Sequence, residues 1–163
     1  MAFQNVRQAL QTASKKLSRR ALHWRMRGQP EADILVAERK LRGVEQFDKL
    51  HRADVVIVSF GKSGRTWLRV MISHLFRVMY KFPENAILGF DNFHNLNREV
   101  PKTFFTNDNY IKDFTGDFDT KAPFYDKRVI LLARDPRDVA VSQFFQWKFR
   151  VKSTKIAINN YPP

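Results

Sequence analysis

The chain has no cysteine among its 163 residues, which excludes a disulfide framework and any thiolate metal site. No apolar run approaches the roughly 18 residues that a membrane-spanning helix needs. Internal repeats and low-complexity tracts are absent too, and the length is that of one domain with enough apolar residues to bury a core. Acidic residues are missing from the first 30 positions, where Arg7, Lys15, Lys16, Arg19, Arg20, Arg25 and Arg27 all fall. The net charge is +13, and more than half of that excess lies in this short leader.

The leader is periodic as well as basic. Phe3, Val6, Leu10, Ala13, Leu17, Ala21 and Trp24 recur at steps of three and four, which predicts an amphipathic helix within residues 1–30, ended by Gly28 and Pro30. Three readings of it stay open: a solvated helix packed on the domain, a membrane-surface or partner-binding helix acting through residues 1–27, or an Arg-rich, acid-poor transit segment. Nucleic acid is not an expected partner, because no interleaved aromatic pattern or RNA-binding motif accompanies the basic run. Residues 31–53, of mixed charge, read as a surface helix leading into the fold.

A hydrophobic strand at 55–58 runs straight into Ser59-Phe60-Gly61-Lys62-Ser63-Gly64-Arg65-Thr66-Trp67, and a helical pattern runs out of it. Two glycines let this turn gather backbone N–H groups, the helix start adds unpaired donors and a positive dipole end, and Lys62 adds a full charge. Phosphate is the natural ligand. The triphosphate loop G-x-x-x-x-G-K-[ST] does not fit, since Val56 stands where its first glycine should be and Lys62 precedes Gly64. A second strand, expected to be buried, spans 129–133 and leads into Arg134-Asp135-Pro136-Arg137-Asp138-Val139-Ala140-Val141-Ser142. Asp135 suits the N-cap and Pro136 the first helical position, where a missing N–H costs nothing. The helix over 65–81 is apolar on most sides, with a polar stripe of Arg69, Ser73 and Arg77, and is expected to be mostly buried. Residues 102–106 read as a short strand, and 107–127 as a loop turning at Thr115-Gly116-Asp117. Strands alternating with helices imply an α/β fold with a parallel sheet and ligands at the strands' carboxyl ends.

The order K-S-G-x-T-W, followed by the R-[ND]-P-[KR]-D-V-A-V-S run after a later strand, resembles the sulfotransferase family that uses 3′-phosphoadenosine 5′-phosphosulfate. The resemblance implies a P-loop-like three-layer fold. It covers about 54–150 and implies that 54–163 is the N-terminal part of a domain left incomplete at its C-terminus. It further implies that Lys62 donates to the bridging and leaving oxygens, that Ser63, Gly64, Arg65 and Thr66 hold the 5′-phosphate, and that Arg134 and Ser142 hold the 3′-phosphate. Arg137 and Asp138 are expected to orient the turn. Trp67 is open between stacking on adenine and packing in the core.

No metal is expected, and the acceptor would be the hydroxyl or amine of a small molecule or carbohydrate. Asn107 occupies the place of the family's acceptor-activating histidine. An amide can hold a hydroxyl but cannot take its proton. Asp108 is the nearest substitute, and His94, expected in an exposed loop, is the next. The alternatives are a P-loop small-molecule kinase, or a nucleotide-binding fragment with impaired catalysis. The location expected is cytoplasmic, with membrane-peripheral contact through the leader left open.

Overall fold

A computed structural model describes residues 2–150, with side chains from residue 13 onward. Two helices precede the sheet, α1 (Ala2–Arg25) and α2 (Glu31–Arg52). Between them Gly28 takes a left-handed φ of 90° that ends the first helix without a Cβ penalty. Helix α1 lies along α2 through ion pairs, Lys15 and Arg19 meeting Glu45 at 3.8 and 3.5 Å and His23 facing Glu38 at 3.7 Å. Phe3, Val6 and Leu10 of the expected stripe lie outside the described side chains.

The sheet has three parallel strands in the order β2-β1-β3: β1 (Val55–Ser59), β2 (Thr103–Thr106) and β3 (Arg128–Leu132). Val58 of β1 pairs with Thr106 on one side, and Ser59 with Leu132 on the other. All three chains therefore leave the sheet at the same edge. On one face Val56 and Phe104 bury against Leu50 and Ala53 from the α2 end and Ile111 of α5 (Asn109–Thr115). Helix α5 comes so close to α2 that a Cβ on Gly43 would collide with the Tyr110 carbonyl oxygen and the Phe114 Cβ. Arg39 fastens the pair through Asp113 at 2.7 Å, and Arg39 and Arg42 both lie over the Tyr110 ring. On the opposite face Phe105 packs on Leu88, Phe93 and Val100, a cluster joined by Ile72, Phe76 and Tyr80 from α3 (Arg65–Tyr80). Helix, sheet and helix thus form three layers over β1 and β2.

Four expectations need correction. Helix α3 is not mostly buried: only Ser73 is buried, while Trp67, Val70, Met71, Leu75, Val78 and Met79 are exposed. The expected polar stripe is what turns inward, because the Ser73 hydroxyl donates to the Arg69 carbonyl at 2.5 Å and accepts from the Leu88 N–H at 2.9 Å. Strand β3 is not buried either, with Val129, Ile130 and Leu131 exposed, since among the described residues β1 is its one neighbour and no layer covers it. The 107–127 loop contains α5, whose Tyr110, Ile111 and Phe114 repeat at helical spacing over too few residues to stand out. His94 is not in an open loop: it lies in α4 (Asn92–Leu96), half-buried, with Nδ1 2.8 Å from the Val100 carbonyl oxygen.

Candidate functional site

The carboxyl edge of the sheet gathers three segments, those that follow β1, β2 and β3. The first runs from Phe60 to Gly64. Lys62 has φ 66° and Gly64 φ 95°, so two left-handed residues bracket Ser63. For glycine this conformation is free, whereas for lysine it costs about 1–2 kcal/mol. Such alternation turns successive N–H groups toward one side and forms an anion-binding concavity. The first helical bond of α3 runs from the Leu68 N–H to the Gly64 carbonyl at 3.1 Å. The N–H groups of Arg65, Thr66 and Trp67 precede it and have no helical acceptor. Beneath the loop, the Ser59 hydroxyl is 1 % exposed and has no hydrogen-bond partner among the described residues. A buried orphan hydroxyl beside free helical donors fits a phosphate group.

The second segment follows β3. As expected, Asp135 caps α6 (Pro136–Arg150), its carboxylate accepting from the Arg137 N–H at 2.8 Å. The Arg137 side chain and then its N–H hold the Asp135 carboxyl below the usual carboxylate range. Arg134 lies 3.5 Å from Asp138 and donates to the Lys62 carbonyl oxygen at 3.2 Å. Arg137 and Asp138 therefore orient the turn, and Arg134 reaches across the sheet edge to the first loop. A second link comes from α6, where Gln146 Oε1 accepts from Lys62 Nζ at 3.2 Å. Gln146 was missed in the sequence, although it stands one helical turn beyond Ser142 and so on the same side of α6. Ser142 is half-buried.

Trp67 is 75 % exposed, which removes core packing as an account of it and leaves its ring free to stack. Arg65 and Arg69, one turn apart on α3, are half-buried, and among the described residues neither has a carboxylate partner. Burial, and then the charge of Arg69, pushes the Arg65 pKa down, and burial does the same to Arg69. The Arg69 guanidinium lies 4.5 Å from the centre of the Phe105 ring on β2.

The third segment follows β2. Thr106 donates to Gln46 of α2 at 3.1 Å and accepts from the Asp108 N–H at 2.9 Å, which pins the chain on both sides of Asn107. Asp108 is buried in a left-handed conformation of φ 66°, and its Oδ2 receives Lys121 at 3.3 Å and Lys112 at 3.7 Å. Two lysines thus already occupy this carboxylate. Among the described residues, no three His, Cys, Asp or Glu side chains converge as a metal site would need.

Comparison with known proteins bears on this arrangement. Searches of curated proteins and of solved structures each found no match. A protein-family model described as a sulfotransferase domain matches residues 52–159. That span takes in both loops that meet across β1 and β3 and most of the sequence, and on it the chain belongs to the sulfotransferase family.

Proposed function

We infer that this domain transfers a sulfuryl group from 3′-phosphoadenosine 5′-phosphosulfate to a hydroxyl or amine of a small-molecule or carbohydrate acceptor. In that reaction the acceptor oxygen or nitrogen attacks sulfur, the bond from sulfur to the phosphate oxygen breaks, and the acceptor's proton passes to a base. The products are the sulfated acceptor and adenosine 3′,5′-bisphosphate. Such in-line transfers depend on positioning and on charge stabilisation at the leaving oxygen. In this reading Ser63 and the main-chain donors of Gly64, Arg65 and Thr66 hold the 5′-phosphate. Lys62 leaves Gln146 to meet the leaving oxygen, Trp67 stacks on the base, and Arg134 and Ser142 take the 3′-phosphate. The observation that carries the reading is the junction of the two loops, with Arg134 bonded to the Lys62 carbonyl and Gln146 to the Lys62 ammonium.

In the same reading Asn107 orients the acceptor. Asp108 suits the role of base poorly while Lys112 and Lys121 hold it, and that observation favours impaired catalysis as a second reading. Thermal-shift titration tests the main one. Adenosine 3′,5′-bisphosphate should stabilise the protein more than ATP does. A magnesium-dependent preference for ATP would promote the kinase instead. Bisphosphate binding without sulfuryl transfer to any acceptor in a broad panel would favour impaired catalysis.

A further inference from the structure

Helix α1 docks the wrong way round for an ordinary surface helix. A helix packed on a globular domain buries its apolar stripe and shows its charges to water. Here the side toward α2 carries Lys15 and Arg19, half-buried on Glu45, with Leu22 and Met26 beside them. The apolar stripe of Ala13, Leu17, Ala21 and Trp24 lies on the far side, and all four residues are exposed. Trp24 is 79 % exposed and Leu17 63 %. Lys16 and Arg20 border this stripe on one flank and Arg25 on the other, all three exposed and none with an acidic partner among the described residues. The helix offers this face no negative charge of its own, since residues 1–30 contain no Asp or Glu.

An apolar strip with a terminal tryptophan, edged by unpaired cations, matches one kind of surface. Apolar side chains and an indole settle at the boundary between headgroups and acyl chains, while Lys and Arg meet lipid phosphates. We propose that α1 is an interfacial helix that seats the protein on an anionic lipid surface, burying Leu17 and Trp24 and pairing Lys16, Arg20 and Arg25 with headgroups. No helix of the described residues is long and apolar enough to cross a membrane, so the contact lies in the plane of the surface. The ion pairs to Glu45 and the contact of His23 with Glu38 set which side of α1 remains free, and Gly28 and Pro30 end it before α2 begins. This inference does not depend on the reaction the domain performs.

Flotation of the whole chain with vesicles of phosphatidylcholine alone and of phosphatidylcholine with phosphatidylserine provides the test. Binding should appear with the anionic vesicles and weaken as salt rises. Quenching by brominated lipid should reach Trp24 and vanish in Trp24→Phe. Paired Leu17→Ser and Trp24→Ser should lower the partition coefficient about tenfold or more. Lys16→Gln and Arg20→Gln should each lower it about fivefold. These side chains are exposed, so the melting temperature should barely move, and that measurement separates lost binding from lost folding. The proposal is overturned if anionic vesicles fail to bind the folded chain, or if the serine variants bind them as wild type does. It is equally overturned if the apolar stripe proves to mediate self-association, seen as a dimer that Trp24→Ser converts to a monomer without change in lipid binding.

Discussion

Strands β1 and β3 lie side by side in parallel register, both are rich in valine, isoleucine and leucine, and both lead into a loop of the site. Yet Val56 and Ile57 are buried, and their register partners Val129 and Ile130 are about half exposed. The difference lies in what covers them. Around β1, α2 and α5 close the Val56 face and Ile57 is buried on the other, while the Leu88, Phe93 and Val100 cluster backs the neighbouring β2 through Phe105. Around β3, no described element does either. Backbone pairing and loop geometry therefore extend across the whole sheet edge, whereas the packing that stabilises a domain is concentrated in the half built on β1 and β2. The candidate site thus spans both halves, two of its segments leaving the packed strands and one the open strand.

The sharpest way to break this contrast is a pair of truncations. Leu50→Ala, in the fully buried cluster, should destabilise by about 2–5 kcal/mol in urea melts. Leu131→Ala, at a position 73 % exposed, should change stability by no more than about 0.5 kcal/mol. Comparable costs would mean that β3 is covered in solution.

The open half should instead respond to ligand. Amides of β3 and α6 should exchange quickly in the free protein and slow down with adenosine 3′,5′-bisphosphate. Arg134→Ala should weaken that ligand about ten- to a hundredfold, as loss of a charged hydrogen-bonding group does, and should remove the protection. Lys62→Ala should spare binding more than turnover, because in the proposed reading its charge matters most at the leaving oxygen. Calorimetry alongside a transfer assay would show if both variants behave alike, and in that event the assigned roles fail.

A smaller effect is expected at Gly43, where α5 crosses α2. Adding a methyl group there overpacks a helix contact, for about 1–3 kcal/mol, and the loss should appear first as faster exchange in α5. The smallest concerns the seat of α1. Burial raises the Glu38 pKa, but the Arg42 hydrogen bond together with Arg42, His23 and Arg19 charges outweighs it, so Glu38 titrates below its ordinary 4.5. A depressed carboxyl pKa gives stability that is complete above about 4.5 and is lost as pH falls through the folded value. Melts recorded across acid pH should show that slope in wild type and a shallower one in Glu38→Gln.

Much of the site was legible because its signals are local. A strand, two glycines and a lysine, or a strand followed by Asp-Pro, declare a turn and a helix start within a few residues, and the structure has them where the pattern predicts. What local signals could not supply was cover. The apolar content of α3 and β3 reads as burial, but burial belongs to the neighbours, and here the Ser73 side of α3 faces inward. Nor does spacing reveal a contact across the fold. Nothing near Asp108 announces Lys121, and nothing near Lys62 announces Gln146, 84 residues away. The tie between His94 and Val100 was hidden for a different reason, since α4 is only five residues long.

That the Lys62 ammonium rests on an amide, and not on a carboxylate, governs how easily the loop can be recruited. A neutral acceptor contributes only about 0.5–1.5 kcal/mol, less than the charged oxygen that the proposed reading brings to Lys62. In the proposed reading Gln146 acts as a latch with a weak spring: it parks the long, flexible Lys62 side chain and gives it up at small cost. A glutamate at 146 would make the same contact a competing ion pair, and each round of binding would begin by prising the lysine loose.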